Sequence, residues 1–195
     1  MDFDIFNISH NIEPPQKGKV LVSVPFISDA FFYKTVIYLV EHSDESTVGV
    51  VLNKPLPMSF HELVEQIPES NFPIHIGGPA EHTNLHMLHT FGDRISGSVP
   101  VANGVYWGGD FDEIKQHIAS HTISKQDIRF FLGYSGWGKN QLQQEIEEDT
   151  WVVSSISLEE LFFDSKDINL WDTVLKKMGS KYEAWTHFPP SPLLN

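Results

Sequence analysis

Two neighbouring runs, "TVIYLVEH" (35–42) and "VGVVLN" (48–53), constrain the fold more than any other feature of the chain. Both are rich in β-branched residues, and the polar "SDEST" between them reads as the loop of a β-hairpin. Neither run alternates apolar with polar residues. A sheet with one wet face would alternate, whereas near-continuous apolar strands belong to a sheet covered on both faces. The rest of the chain must therefore supply material above and below this hairpin.

That material is legible as short strands and amphipathic helices. "KVLVSV" (19–24) is a strand stopped by Pro25, and "DAFFYK" (29–34) is a helical turn capped by Asp29. "SFHELVEQI" (59–67) carries a capping box in Ser59 and Glu62, with Phe60, Leu63, Val64 and Ile67 on one face and Pro68 as a stop. "IHIGGPA" and "LHMLHTF" read as strands. "SVPVANGVYW" holds Asn103-Gly104, a strong hairpin signal. "DFDEIKQHI" (110–118) has a second capping box in Asp110 and Glu113. A strand over 128–134 is expected to turn sharply at "GYSGWGK" into a helix over 139–149. The strand "TWVVSS", a short helix capped by Ser157 and Glu160, and a last helix in "DINLWDTVLKKMG" complete the domain. Hairpins outnumber crossovers, so the chain is α+β with a mixed or mostly antiparallel sheet. Residues 1–18 form an arm, 19–179 a single domain, and 180–195 a tail packed as irregular structure.

Charge narrows the partners. Thirteen Lys and Arg against 26 Asp and Glu give a formal charge of −13. The long-range field repels phosphate backbones and anionic lipid, which disfavours direct binding to duplex DNA or to such a membrane. No apolar run approaches the roughly 18 residues of a membrane span, and the acidic N-terminus lacks a leader pattern, so the expected compartment is the cytoplasm. Without cysteine there is no disulfide framework and no thiolate chemistry.

Three stretches invite a chemical reading. Gly133-Tyr134-Ser135-Gly136 begins like a nucleophile elbow, but Trp137 stands where the second glycine belongs. Ser135 is therefore expected as a corner residue, with Trp137 anchoring the corner in the core. The same glycines lack phosphate-loop spacing. His82, His86 and His89 suggest metal ligands, yet on a strand His86 and His89 face opposite ways, so no metal or other cofactor is assigned. Glu145, Glu147, Glu148 and Asp149 are expected on the wet face of a helix that buries Leu142 and Ile146.

Four blocks in order, "VPFISDAFFYKTVIYLVEHSDESTVGVVLNKPL", "GGPAEHTNLHMLHT", "FLGYSGWGKNQLQQEIEEDTWVV" and "LFFDSKDINLWDTVLKKMG", resemble the AlgH/YqgE family of bacterial proteins over residues 19 to 179. The resemblance implies an α+β fold with a bifurcated sheet curled into a partial barrel and surrounded by helices. It also implies a description as transcriptional regulators, with no catalytic residues to carry over. The expected function is a non-catalytic regulatory or ligand-sensing protein that acts on transcription indirectly, through a protein or small-molecule partner. The alternatives are a hydrolase using Ser135 or a histidine of 86–89, and a direct DNA-binding regulator. For ligand sensing, the ends of "VVLNKPL", "HIGGPA" and "FLGYSGWG" are expected to converge on one cleft lined by Asn53, Lys54, Gly77, Gly78, Ser135 and Trp137. The competing reading makes all three plain turns.

Overall fold

The hairpin forms as β2 (Val36–His42) and β3 (Ser46–Val51), paired antiparallel with Ile37 opposite Val51. The computed structural model describes residues 13–64, 72–162 and 169–188. Around the hairpin stand β1 (Val20–Ser23), β4 (Pro55–Ser59), β5 (Pro73–Ile76), β6 (Ala80–His89), β7 (Val99–Ala102), β8 (Val105–Trp107), β9 (Ile128–Gly138) and β10 (Trp151–Ser154). The helices are α1 (Phe60–Leu63), α2 (Phe111–Ala119), α3 (Gln141–Glu147), α4 (Leu158–Phe162), α5 (Leu170–Lys177) and α6 (Ser180–Glu183).

The sheet has ten strands, with the path β10-β1-β2-β3-β9-β6-β8-β7 and a branch in which β4 pairs β5 and β5 pairs β9. Every pairing is antiparallel except β5 with β9. The sheet curls without closing. Val101 and Val105, from one end of the path, share a buried cluster with Val20 and Tyr38 near the other. Lys17, just before β1, donates from Nζ to the Pro100 carbonyl of β7 at 2.7 Å.

Both faces of the hairpin are covered, as its composition requires. Val36, Tyr38, Val40 and Val50 face inward, where Trp171, Val174 and Leu175 of α5 fill the curl. Ile37, Leu39 and Val51 face outward, under Leu142 and Ile146 of α3 and the rings of Phe31 and Phe32. A second outer cluster packs Phe60 of α1 and Ile114 and Ile118 of α2 over Ile74, Met87 and Phe130. Phe60 stacks on Phe130 with centroids 3.9 Å apart. Burying such rings is the main favourable term for these short helices, which are too short to stand alone.

Several local signals act as expected. Asp29 Oδ1 accepts from Phe31 N at 2.8 Å, and Glu62 Oε2 accepts from Ser59 N at 2.6 Å. Asn103 and Gly104 both have positive φ (52° and 80°) between β7 and β8, as a tight hairpin turn demands. Of the expected helix 59–67, the positions after Val64 lie outside the described residues, as do Phe163 and residues 189–195. No helix among the described residues is long and apolar enough to cross a membrane.

Four expectations are corrected. The strand expected to end at 134 runs on to Gly138, because Ser46–Gly49 of β3 pairs with residues 135–138 and holds the glycines extended. The helix that follows is accordingly shorter, with Asn140 before it in a left-handed conformation. At 110–113 only half a capping box forms: Asp110 caps the helix, but Glu113 turns away to accept from Ser96 N and Oγ at 2.8 and 2.7 Å. Residues 180–187 are helical rather than irregular, with Trp185 buried against the inner cluster.

Candidate functional site

One edge of β9 serves two strands in succession. Its first half pairs in parallel with β5, Ile74 opposite Phe130 and Ile76 opposite Leu132. Its second half pairs antiparallel with β3, Gly49 opposite Ser135 and Ser46 opposite Gly138. Where the partners change, β3 and β5 meet end to end and the sheet divides. Val51 N donates to the Gly77 carbonyl, Ile76 N to the Lys54 carbonyl and Gly77 N to the Leu132 carbonyl, each at 2.8 Å.

Gly133 sets the geometry of this seam. Its φ is 70°, a region costly for residues with a Cβ, and it stands alone opposite a bulge of β6, residues 81–84, between the pairs Ala80–Tyr134 and Leu85–Leu132. Side chains change faces across it. Phe131 faces inward and Phe130 and Leu132 outward, whereas beyond the bulge the even-numbered Tyr134 faces inward and Trp137 outward. The left-handed backbone at Gly133 breaks the two-residue alternation of β9, and the faces exchange across it.

Parts of the three blocks expected to converge on a cleft lie side by side at the seam, packed backbone against backbone. Ser135, 1% exposed, donates from Oγ to the Gly77 carbonyl at 3.3 Å. Gly77 and Gly78 admit the backbone of β9: a Cβ would lie 2.2 Å from the Gly133 carbonyl oxygen at Gly77, and 2.1 Å from the Tyr134 carbonyl at Gly78. Asn53 ties the ends of the hairpin together, accepting from Val36 N at 3.0 Å and donating to the Lys34 carbonyl at 2.7 Å. Trp137 stands apart on the outer face with Trp151.

Lys54 follows directly, with its Nζ 5.2 Å from the centroid of the Phe31 ring. Burial lowers its pKa, and the charge of Asp29 partly offsets this. Lys34, which the sequence reading missed, sits the same way over Trp171 at 5.0 Å. Neither ammonium has an ion pair among the described residues. Adjacency to Asn53 in space, not in sequence, is what marks Lys34.

Below the seam lies a buried polar knot. Arg129, 4% exposed, donates to the carbonyls of Leu161 and Leu52 at 2.7 and 2.6 Å and to His75 Nε2 at 2.7 Å. One guanidinium thus links β9, β5, the end of β3 and α4. Because His75 Nε2 accepts, the imidazole is neutral; burial and then the Arg129 charge push its pKa down to about 2.

Glu145, expected in water, is instead a joint. Its Oε2 accepts from both Trp137 Nε1 and Trp151 Nε1 at 2.8 Å, pinning α3 to the outer face. Ser135→Ala is expected to cost about 1 kcal/mol, the net worth of one hydrogen bond, since Gly77 O keeps its bond from Val51. Trp137→Ala is expected to cost about 3–5 kcal/mol. Denaturant midpoints of the two variants check the ranking.

The histidines serve different ends. His86 stacks on Trp107 at 5.1 Å, and burial lowers its pKa. His89 accepts from Phe91 N through Nδ1 and lies 3.0 Å from Gly108 O through Nε2. His82 is exposed in the bulge of β6. No group of three or more metal-binding side chains is placed together among the described residues.

A family model described as AlgH-like matches residues 20–183. A UPF0301 protein of Bacteroides fragilis is 43% identical over 194 residues, covering 98% of this chain and 97% of its own. One from Bacteroides thetaiotaomicron is 42% identical, covering 100% and 99%. The solution structure of the AlgH protein from Pseudomonas aeruginosa shares the fold with a TM-score of 0.70 at 24% identity, covering 92% of this chain and 98% of that one. A Corynebacterium diphtheriae crystal structure does so with a TM-score of 0.76 at 22% identity, covering 96% and 100%. The chain belongs to the AlgH-like family.

Proposed function

We propose that the protein is a non-catalytic regulatory domain that senses a small anionic ligand at the seam end marked by Lys34, Asn53 and Lys54. Any effect on transcription is then indirect. The observation that carries this reading is that two lysines flank Asn53, Lys54 in sequence and Lys34 through its backbone carbonyl, each with its ammonium over an aromatic ring and without an ion pair among the described residues. In a chain of charge −13, such cations are a specific feature rather than part of a general basic surface. Partial burial of Lys54 strengthens its attraction for an anion, because fewer waters screen it.

The hydrolase alternative has weaker support. Ser135 is buried inside a paired strand, and its hydroxyl is bonded to a carbonyl rather than to a base. A nucleophile needs both access and a base within hydrogen-bond reach. Direct DNA binding is opposed by charge, and α3 carries Glu145 and Glu147 with no basic residue.

The test is a thermal-shift panel of phosphate, citrate and a nucleoside monophosphate on the wild type and on Lys54→Ala. Stabilisation of the wild type by at least one anion is expected, with a response about tenfold weaker in the variant and an unchanged melting temperature without ligand. Loss of intrinsic stability with no change in response would make Lys54 a packing residue only. Labelling of Ser135 by a fluorophosphonate probe would support the hydrolase instead. Sequence-dependent DNA binding near 10⁻⁸ M, roughly the affinity of specific regulators, would support the direct regulator.

A further inference from the structure

The opposite end of the hairpin holds a cavity of about 260 Å³, where the arm, the β2–β3 loop and the turn after β9 meet. Pro14, Pro15 and Leu142 give it apolar walls, and His42, Ser43, Asp44, Thr47, Asn140 and Gln143 give it polar ones. The surrounding polar groups are already committed. Lys139 is paired with Glu45 at 2.6 Å, Gln141 accepts from Gly138 N, and the Ser43 hydroxyl folds the loop by bonding Ser46 O and the amides of Glu45 and Ser46.

Three of the polar lining groups, His42, Asp44 and Asn140, are less committed. Asn140 has φ 61°, ψ −5°, and its carboxamide makes no capping bond. His42 places Nδ1 2.7 Å from Thr47 Oγ1, with no hydrogen bond to Nε2 among the described residues. Asp44, at the loop tip, makes no salt bridge among the described residues. With Lys139 paired to Glu45, the acidic group among the described lining residues is the Asp44 carboxylate.

From this arrangement we infer a second binding site, one that takes a small organic cation. The ammonium group meets Asp44 and the Asn140 carbonyl, and a short apolar body lies against the proline rings. The volume falls below the ~300–1,000 Å³ of pockets for drug-sized ligands, which limits the occupant to a short amine. The chain's negative field concentrates cations at its surface, so a modest site suffices. The Gly-Trp-Gly-Lys-Asn stretch thereby gains a role beyond packing: Trp137 anchors it, and Asn140 presents its side chain to the cavity.

Calorimetric titration of the full chain with 1,4-diaminobutane tests the inference, with 1,4-butanediol and succinate as neutral and anionic controls. Saturable one-to-one binding with a Kd of about 10⁻⁴ M is expected. It should weaken at least tenfold in Asp44→Asn and persist in Lys54→Ala and in Glu159→Gln, which removes an exposed carboxylate elsewhere. The loop-tip change should leave the melting temperature unaltered, which separates lost binding from lost folding. No saturation up to about 10 mM, equal affinity in Asp44→Asn, or equally tight binding of the diol would each overturn the assignment.

Discussion

Gly78→Ala is expected to cost at least 3 kcal/mol, roughly the upper end of overpacking penalties, and to leave little folded protein at 37 °C. The added Cβ would sit 2.1 Å from the carbonyl carbon and oxygen of Tyr134 and 2.3 Å from Ser135 N. Those atoms are main chain in a strand paired along both edges, so no rotamer change relieves the contact. The seam itself must open. Gly136→Ala is the control, since its Cβ would meet the Tyr134 ring edge at 3.2 Å, and a side chain can yield. Chemical denaturation of both variants should rank Gly78→Ala far below Gly136→Ala. Equal stabilities would mean that β5 and β9 are not packed as described.

The second large effect belongs to the polar knot. Arg129→Ala strands His75 Nε2 and the carbonyls of Leu52 and Leu161 inside the protein. Each buried group left without its partner costs about 1–3 kcal/mol, so the total is expected to reach about 3–5 kcal/mol. If that variant fails to fold, His75 supplies an independent reading through pH. Its folded pKa is pushed down to about 2 from an unfolded value near 6.5. Between those two values the unfolded chain takes up a proton that the folded chain refuses. His75 therefore contributes nothing against folding above pH 6.5 and progressively destabilises the fold below it, by about 1.4 kcal/mol per pH unit. His75→Gln keeps an acceptor for Arg129 and removes the titration. Carboxylates titrate in both proteins and cancel in the difference. Stability curves from pH 7 to 4 should thus diverge, the wild type losing more. Parallel curves would show that the imidazole is not held neutral.

Much of the architecture follows from local signals. The continuous apolar hairpin required two covered faces, and Val36 and Ile37 indeed enter different clusters. Ser59, Asp29 and Asn103-Gly104 each acted within a few residues of their own position, which is why they could be read. The division of the sheet was inferred only from the resemblance of four sequence blocks. What stayed hidden depends on partners distant along the chain. "GYSGWGK" looks like a corner until β3 is laid beside it, and Lys139 pairs with Glu45 across 94 positions. The face switch at Gly133 converts Trp137 from a corner anchor into an outer-face residue, and so brings Glu145 into a half-buried joint. For the candidate site, the sequence marked Asn53, Lys54, Gly77, Gly78 and Ser135 as lining one cleft, and among them Ser135 bonds the Gly77 carbonyl. The use of its glycines was not legible, because a glycine that admits a ligand and one that admits a strand look alike in sequence.

The central claim, binding rather than catalysis at the seam, is tested most directly by native mass spectrometry of the chain purified from its native host. The wild type is expected to carry a non-covalent anionic adduct of defined mass, released on acidification and missing from Lys54→Ala prepared in parallel. A covalent adduct that maps to Ser135, or an identical non-covalent adduct on Lys54→Ala, would contradict it.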